Sequence, residues 1–341
     1  VKPTLAQGRE LARALLVASG VEALAAEQTA QALVIADAWG VHSHGLLRLP
    51  DYLRRLHAGG CNAAAGLRPV ADTGALVTYD GEDGLGHWQV WRAAETARER
   101  CAVHGVAIAA VGRSSHCGAL GVYTLPLVAA GLVGLVFSHG PAVMPPWGGT
   151  AAVVSTSPLA AGIPCRPRPA IVDLATSAVA RGRIKVYAQR GESLPEGWAF
   201  TADGTPTSDA AAALGGMLAP LGGPKGFALA FLVEALTAGL VGPALSTGVV
   251  DMFDPDDAAR PQQIAHVVLA LDPARLDVEG KGSGERLDRL AAQVSAAGGR
   301  LPGAQRALPE ELDERSRLGV SEQTWADVQH WAQRLGVPAP G

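Results

Sequence analysis

Two histidine-bearing segments carry the side chains best suited to proton transfer beside an anion. His44 stands in Ser43-His44-Gly45, with Arg48 four residues on and Tyr52 four beyond that. If the chain enters a helix after Gly45, Arg48 and Tyr52 share one face and converge on a ligand. The planar fork of an arginine grips both oxygens of a carboxylate, so this trio offers acid–base chemistry next to a bound acid. The same residues also read as a turn leading into a helix, with an exposed histidine and a surface arginine. His116 lies in Gly112-Arg113-Ser114-Ser115-His116-Cys117-Gly118, where a strand-like run ends and a helical pattern begins. A histidine on such a loop serves as general acid or base near neutrality. Alternatively, Ser114 or Ser115 caps the helix and His116 is incidental.

Asp173 ends the apolar run Ile171-Val172-Asp173, where a carboxylate either orients an imidazole or caps the next helix. Gly222-Gly223-Pro224-Lys225-Gly226 precedes a long apolar stretch. Glycines let a phosphate approach the backbone, a helix N-terminus favours anions, and Lys225 adds a point charge. His42 and His44 form a His-x-His pair, but no acidic or cysteine partner stands at ligand spacing, so no metal is expected. The chain has no G-x-G-x-x-G between a strand and a helix, no G-x-x-x-x-G-K-[ST], no H-E-x-x-H and no G-x-S-x-G. Rossmann, P-loop, zinc-protease and α/β-hydrolase readings therefore lack support.

The elements that must position these residues follow from periodicity. Leu11, Ala14, Leu15 and Ala18 recur at helical spacing, and Val21 to Ala38 repeats the pattern until Gly40 breaks it. A short helix is predicted over Leu49–His57, and Asn62 to Gly66 reads as a linker. From about residue 73 strand-like runs alternate with helical patterns: Ala75–Tyr79, a helix over Trp88–His104, Val106–Val111, a helix over Ala119–Ala130, then Val133–Phe137. Further strands are expected at Ala160–Ile163, Ala170–Asp173 and His266–Leu271, and a long helix over Gly226–Val241. The tail from about Arg286 is again helical, including Ser321 to Leu335. This is α/β texture with helical ends.

Composition bounds the rest. The 341 residues, 48% hydrophobic and 18% charged, are enough for two domains with a substantial core. With 28 Lys+Arg against 32 Asp+Glu and no basic run, no nucleic-acid partner is expected. The most apolar runs are too short or too interrupted to span a bilayer, so no membrane association is expected. No apolar leader opens the sequence. Cys61, Cys101, Cys117 and Cys165 are scattered singly, which fits free thiols in a reducing, cytoplasmic setting.

Six collinear stretches carry a family resemblance: SHGLLRLPDYL (43–53), VGRSSHCGALGVY (111–123), PPWGG (145–149), DLATSAVARGRI (173–184), LPEGWAFTADGTPTSD (194–209) and GGPKGFALA (222–230). Together they resemble the type 2 malate/L-lactate dehydrogenase family of NAD(P)-dependent, non-Rossmann oxidoreductases. The resemblance implies an α/β (α+β) fold with a largely antiparallel sheet flanked by helices. Both chain ends (1–72 and 275–341) would form a helical substrate and dimer module around an α/β cofactor-binding domain (73–274). It implies a homodimer that uses NADH or NADPH to pass a hydride to or from a small 2-oxo or 2-hydroxy carboxylic acid. Reduction of a cyclic imine 2-carboxylate is the alternative within the family, and an inactive relative acting as a binding protein is a third reading.

By the same resemblance, His44, His116 and Asp173 are the catalytic candidates, with Asp173 behind the donor histidine or against the cofactor; which histidine donates stays open. Arg48, Tyr52 and His139 fall on the substrate side. Ser138, Asp173, Leu174, Ala175, Lys225 and Gly303 fall on the cofactor side. The chain departs from the family where Ser138-His139 replaces Thr-Asn and where Ser155-Thr156-Ser157-Pro158 replaces Gly-Thr-Asn-Pro. It also carries Ala304-Gln305-Arg306 in place of the usual acidic loop, and Arg306 is compatible with a 2′-phosphate.

Overall fold

The computed structural model describes residues 2–280 and 282–340. Thr4 caps the first helix, α1 (Leu5–Ala18), in a reciprocal box with Gln7, and Glu22 caps α2 (Ala23–Ala38). Pro50 opens α3 (Leu49–Ala58), which Gly59 closes in the left-handed conformation. Leu11, Leu15 and Leu33 meet Leu49 and Leu53 from α3 and Trp325, Val328 and Trp331 from α10 (Glu322–Leu335) in one apolar core. Residues from both chain ends thus bury each other.

The middle of the chain is built on a seven-stranded sheet in the order β1-β2-β3-β10-β4-β5-β6. The strands are β1 (Arg68–Asp72), β2 (Leu76–Asp80), β3 (Val106–Ser114), β4 (Val133–Ser138), β5 (Leu159–Ile163), β6 (Ala170–Leu174) and β10 (Ile264–Leu271). Only β2 and β3 run parallel, joined by the crossover helix α4 (Gly86–His104); every other neighbouring pair is antiparallel. β10 is central and almost wholly buried, which accounts for its unbroken apolar run around His266. Ala93, Ala94 and Ala97 of α4 pack against Ala109 and Val268, small residues that let helix and sheet approach closely.

A third core gathers Met144, Ile184, Ala199 and Ala230. It joins α6 (Arg181–Arg190) and the three-stranded sheet of β7 (Ala199–Phe200), β8 (Pro206–Thr207) and β9 (Met217–Leu218) to α7 (Ala210–Leu214) and α8 (Pro224–Glu234). Periodicity did not reveal the small sheet, since two-residue strands carry no pattern. The remaining helix, α9 (Ser283–Ala296), buries only Ala291 and is tied to the segment between β5 and β6 by the Arg166–Asp288 ion pair.

Two expected helices are shorter than their patterns. Over Ala119–Ala130 the chain makes a 3-10 turn, Leu120–Thr124, and then α5 over only Leu125–Val128. Pro126 lacks the N–H needed to continue a helix from Val122, so a new one starts at that point. The apolar helix over Gly226–Val241 gives way to a π turn at Ala235–Gly239. There Glu234 turns inward and accepts from the Ser246 N–H (2.8 Å) and hydroxyl (2.6 Å).

Candidate active site

The site begins at the break after α2. Asp37, buried in the last turn, accepts from the Leu46 N–H at 2.8 Å and pairs with His42 Nδ1 at 2.9 Å, fixing the 3-10 turn His42–His44. A Cβ at Gly45 would lie 2.2 Å from the Asp37 carboxyl carbon, so only glycine permits this clasp. Burial pushes the Asp37 carboxyl up, with its hydrogen bonds acting against that rise. His44 therefore faces α3 from a pinned turn. Arg48 donates from Nε to the Ser43 carbonyl at 2.8 Å and lies 3.5 Å from Asp51, with its guanidinium 4.3 Å from the Phe253 ring centroid.

The rings of His44 and His116 stack at 5.7 Å, and Tyr52 stacks on His116 at 6.1 Å. His116 Nδ1 lies 2.7 Å from the Tyr52 hydroxyl and also accepts from the Gly118 N–H at 3.3 Å. An amide can only donate, so Nδ1 carries a lone pair. Tyr52 is buried and its ionisation is pushed well up, so its hydroxyl stays protonated and donates as well. Both donors fix neutral His116 as the Nε2–H tautomer. The backbone N–H of His116 donates in turn to Gln262 Oε1 at 3.1 Å.

Sequence reasoning missed His87. It is 1% exposed, its ring meets Tyr52 edge-on at 4.7 Å, and neither ring nitrogen has a hydrogen-bond partner among the described residues. Nothing in Gly86-His87 marked it, because only folding brings the start of α4 against α3. His266 of β10 is also buried, with Nε2 3.1 Å from the Ser115 carbonyl. Burial pushes His44 and His266 down to about 4 and His87 and His139 to about 3; it also pushes His116 well down, reinforced by His44, His87 and Arg48. Arg48 adds repulsion to His44. All five rings are neutral at physiological pH.

Of the two places expected for Asp173, behind a histidine or on the cofactor side, its contacts fit the second. Its Oδ2 accepts from the Gly121 N–H at 3.0 Å and lies 3.7 Å from Arg306 Nη1; no hydrogen bond joins it to His44 or His116 among the described residues. The physical reason is register: at the end of β6, Asp173 faces the 3-10 turn that carries Gly121, while both histidines stand on other loops. Gly303, at φ 70°, packs on the same strand, where a Cβ would lie 2.6 Å from the Ile171 carbonyl. Leu174 is exposed and Ala175 half-buried just beyond Asp173. Ser138 and His139 are buried at the end of β4, Ser138 donating to the His139 carbonyl and His139 Nε2 lying 3.3 Å from the Ala244 carbonyl. Lys225 is exposed in the first turn of α8.

This second group suits a large anionic cofactor. Among the described residues, His139 Nδ1 and Arg306 Nη1 are buried without a hydrogen-bond partner, Arg306 having only the longer ion pair with Asp173, and such atoms are costly unless a ligand or water completes them. Arg306 also lies 5.0 Å from the Trp39 ring centroid, giving a flat cationic and aromatic surface. The N-terminus of α8 has no side-chain cap and follows Gly222 and Gly223 at positive φ, which suits a phosphate beside Lys225. A cavity of about 990 Å³ lined by Trp91, Arg98, Arg166 and Asp288 contains none of these residues.

The sequence model of the malate/L-lactate dehydrogenase family matches residues 4–329. The chain belongs to this family. It is an oxidoreductase of the nicotinamide-dependent kind. The (2R)-3-sulfolactate dehydrogenase (NADP(+)) of Chromohalobacter salexigens is 38% identical over 92% of this chain and 94% of its own. The Δ1-pyrroline-2-carboxylate reductase of Ancylobacter novellus is 34% identical over 96% of this chain and 97% of its own. Among solved structures, the Δ1-piperideine-2-carboxylate reductase of Pseudomonas syringae superposes with a TM-score of 0.88 at 30% identity, covering 97% of this chain and 100% of its own. The match in architecture confirms the expected mixed α/β fold with its largely antiparallel sheet.

Proposed function

We propose that this enzyme interconverts a small 2-oxo acid and its 2-hydroxy acid, using NADH or NADPH. The observation that carries the reading is the Tyr52–His116–His44 stack beside Arg48: paired imidazoles next to a carboxylate fork. When bound, the cofactor supplies or accepts the hydride. Arg48 grips the substrate carboxylate with the guanidinium edge that Ser43 and Asp51 leave free. His116, held as the Nε2–H tautomer, donates a hydrogen bond to the reacting oxygen without surrendering its proton. His44 delivers that proton. Burial is the main reason that His44 rests neutral, and a bound carboxylate, by cancelling the lesser repulsion from Arg48, shifts the ring toward its protonated form.

Ser138, Asp173, Leu174, Ala175, Lys225 and Gly303 would hold the cofactor, with Arg306 completing the set. His139 would line the substrate side. A cyclic imine 2-carboxylate is the second reading, favoured by the imine reductases among the relatives; it presents the same carboxylate to Arg48. We further propose the division into a helical part from both ends (1–72 and 275–341) and an α/β part (73–274). A second copy is proposed to cover α8, whose Leu229, Phe231 and Leu232 are 43%, 62% and 51% exposed, as the patch invites an apolar partner. Phe231→Asp should turn a dimer into a monomer by light scattering. The cysteines are all free among the described residues, and no helix there is long and apolar enough to cross a membrane. This supports a cytoplasmic setting.

The test follows NADH and NADPH oxidation against a panel of 2-oxo acids and cyclic imine 2-carboxylates. His44→Ala should lower turnover at least about a hundredfold, the value of a positioned acid. Absence of turnover together with absence of cofactor binding would overturn the reading.

A further inference from the structure

One segment reaches both ends of the candidate site. The chain from Val250 to Gln262 runs from behind His116 to the outer face of Arg48. At one end, the Gln262 side chain holds the His116 backbone N–H at 3.1 Å and donates to the Val250 carbonyl at 3.4 Å. At the other, the Phe253 ring lies under the Arg48 guanidinium, 4.3 Å from centroid to Cζ.

The segment is fastened by Arg55 of α3, which is 2% exposed. Its guanidinium donates to the backbone carbonyls of Asp257, Gly60 and Arg260. Gly60 presses against the same segment: a Cβ there would lie 2.1 Å from the Ala258 carbonyl oxygen. Asp251 accepts from the Phe253 N–H at 3.0 Å and Asp254 from the Asp256 N–H at 3.0 Å, so both turns flanking Phe253 are closed. Phe253 is thus presented from a tethered loop.

We infer that Phe253 is a positioning residue for Arg48 and a determinant of carboxylate affinity in the reaction proposed above, on which this inference rests. The ring covers one face of the guanidinium, while the Ser43 carbonyl occupies Nε and Asp51 approaches Nη1. The fork is then left one orientation, with its free edge available to a substrate carboxylate. A long side chain held in one rotamer loses less freedom on binding, so the contact acts on affinity and leaves the proton-transfer groups alone.

The experiment compares the full-length wild-type enzyme with Phe253→Ala and Phe253→Trp. Two readouts are taken: steady-state kinetics on the most active carboxylate substrate, and the rate of phenylglyoxal labelling of Arg48, read peptide by peptide by mass spectrometry. For Phe253→Ala the expected results are a KM raised about three- to fivefold, the scale of an exposed cation–π contact, and a kcat unchanged within about a factor of two. Arg48 labelling should accelerate by a similar factor, and Phe253→Trp should restore both wild-type values. An unchanged labelling rate, or faster labelling with an unchanged KM, overturns the inference. A fall in kcat without a change in KM also overturns it. A wild type inert toward every 2-oxo acid and imine would instead overturn the proposed function, and labelling would still show whether Phe253 shields Arg48.

Discussion

Lowering the pH from 7.5 to 5.5 should remove at least about 4 kcal/mol of folding stability, the share of three fully buried histidines, to which His44 and His116 add in the same sense. His87, His139 and His266 are 1%, 3% and 0% exposed. Burial holds them at about 3, about 3 and about 4, against about 6.5 in an unfolded chain. Their folded pKa lies below the unfolded one, so between those values the unfolded chain binds more protons and stability falls as the pH falls. At pH 5.5 an unfolded-state histidine is mostly protonated while its native counterpart is not, a difference of about 1.4 kcal/mol per ring relative to pH 7.5. Three rings sum to about 4 kcal/mol, a large share of the roughly 5–15 kcal/mol that holds a typical domain. Asp37 and Asp173 act in the opposite sense, because burial raises them and their stabilising share grows as pH falls toward the carboxylate range. Reading the effect at pH 5.5 keeps the measurement above that range. The assay is urea unfolding followed by tryptophan fluorescence at both pH values. His87→Phe should shrink the difference by about 1.4 kcal/mol, the share of one ring, whatever it does to absolute stability. A difference below about 1 kcal/mol would refute the reasoning, since those rings would then have to gain protons as easily as an unfolded chain.

Three further outcomes are expected. Tyr52→Phe removes the donor that fixes the His116 tautomer; kcat should fall about tenfold, the value of roughly one hydrogen bond, with thermal stability little changed. Gly118→Ala places a Cβ 2.9 Å from His87 Nε2 at φ 73°, and denaturant titration should show a loss of about 1–3 kcal/mol. Arg55→Met strips three backbone carbonyls of their charged donor. The same titration should register a loss of about 2–4 kcal/mol, and a loss under about 0.5 would mean that solvent replaces the guanidinium.

The sequence alone determined the local pieces and named the candidate side chains. Leucine spacing in α1 and the β-branched runs of β3 and β10 were legible because period and propensity are properties of neighbours along the chain. His44, Arg48, Tyr52 and His116 could be named because two short motifs carry them, the first three in one and His116 in the other. Tertiary structure decided what those residues do to each other. The Tyr52–His116 bond spans 64 positions, and the His116 tautomer depends on it. His87 and Gln262 join the site from α4 and from the approach to β10, and no local signal distinguished them. Asp173 shows the converse. The sequence left it between a histidine and the cofactor side, and register at the end of β6 set it against Gly121 and Arg306. Which side chains neighbour one another in a folded chain is set by strand order and helix packing, which sum contacts over its whole length. The depressed proton affinities follow from the same packing, because desolvation acts on a group only after distant segments have closed over it.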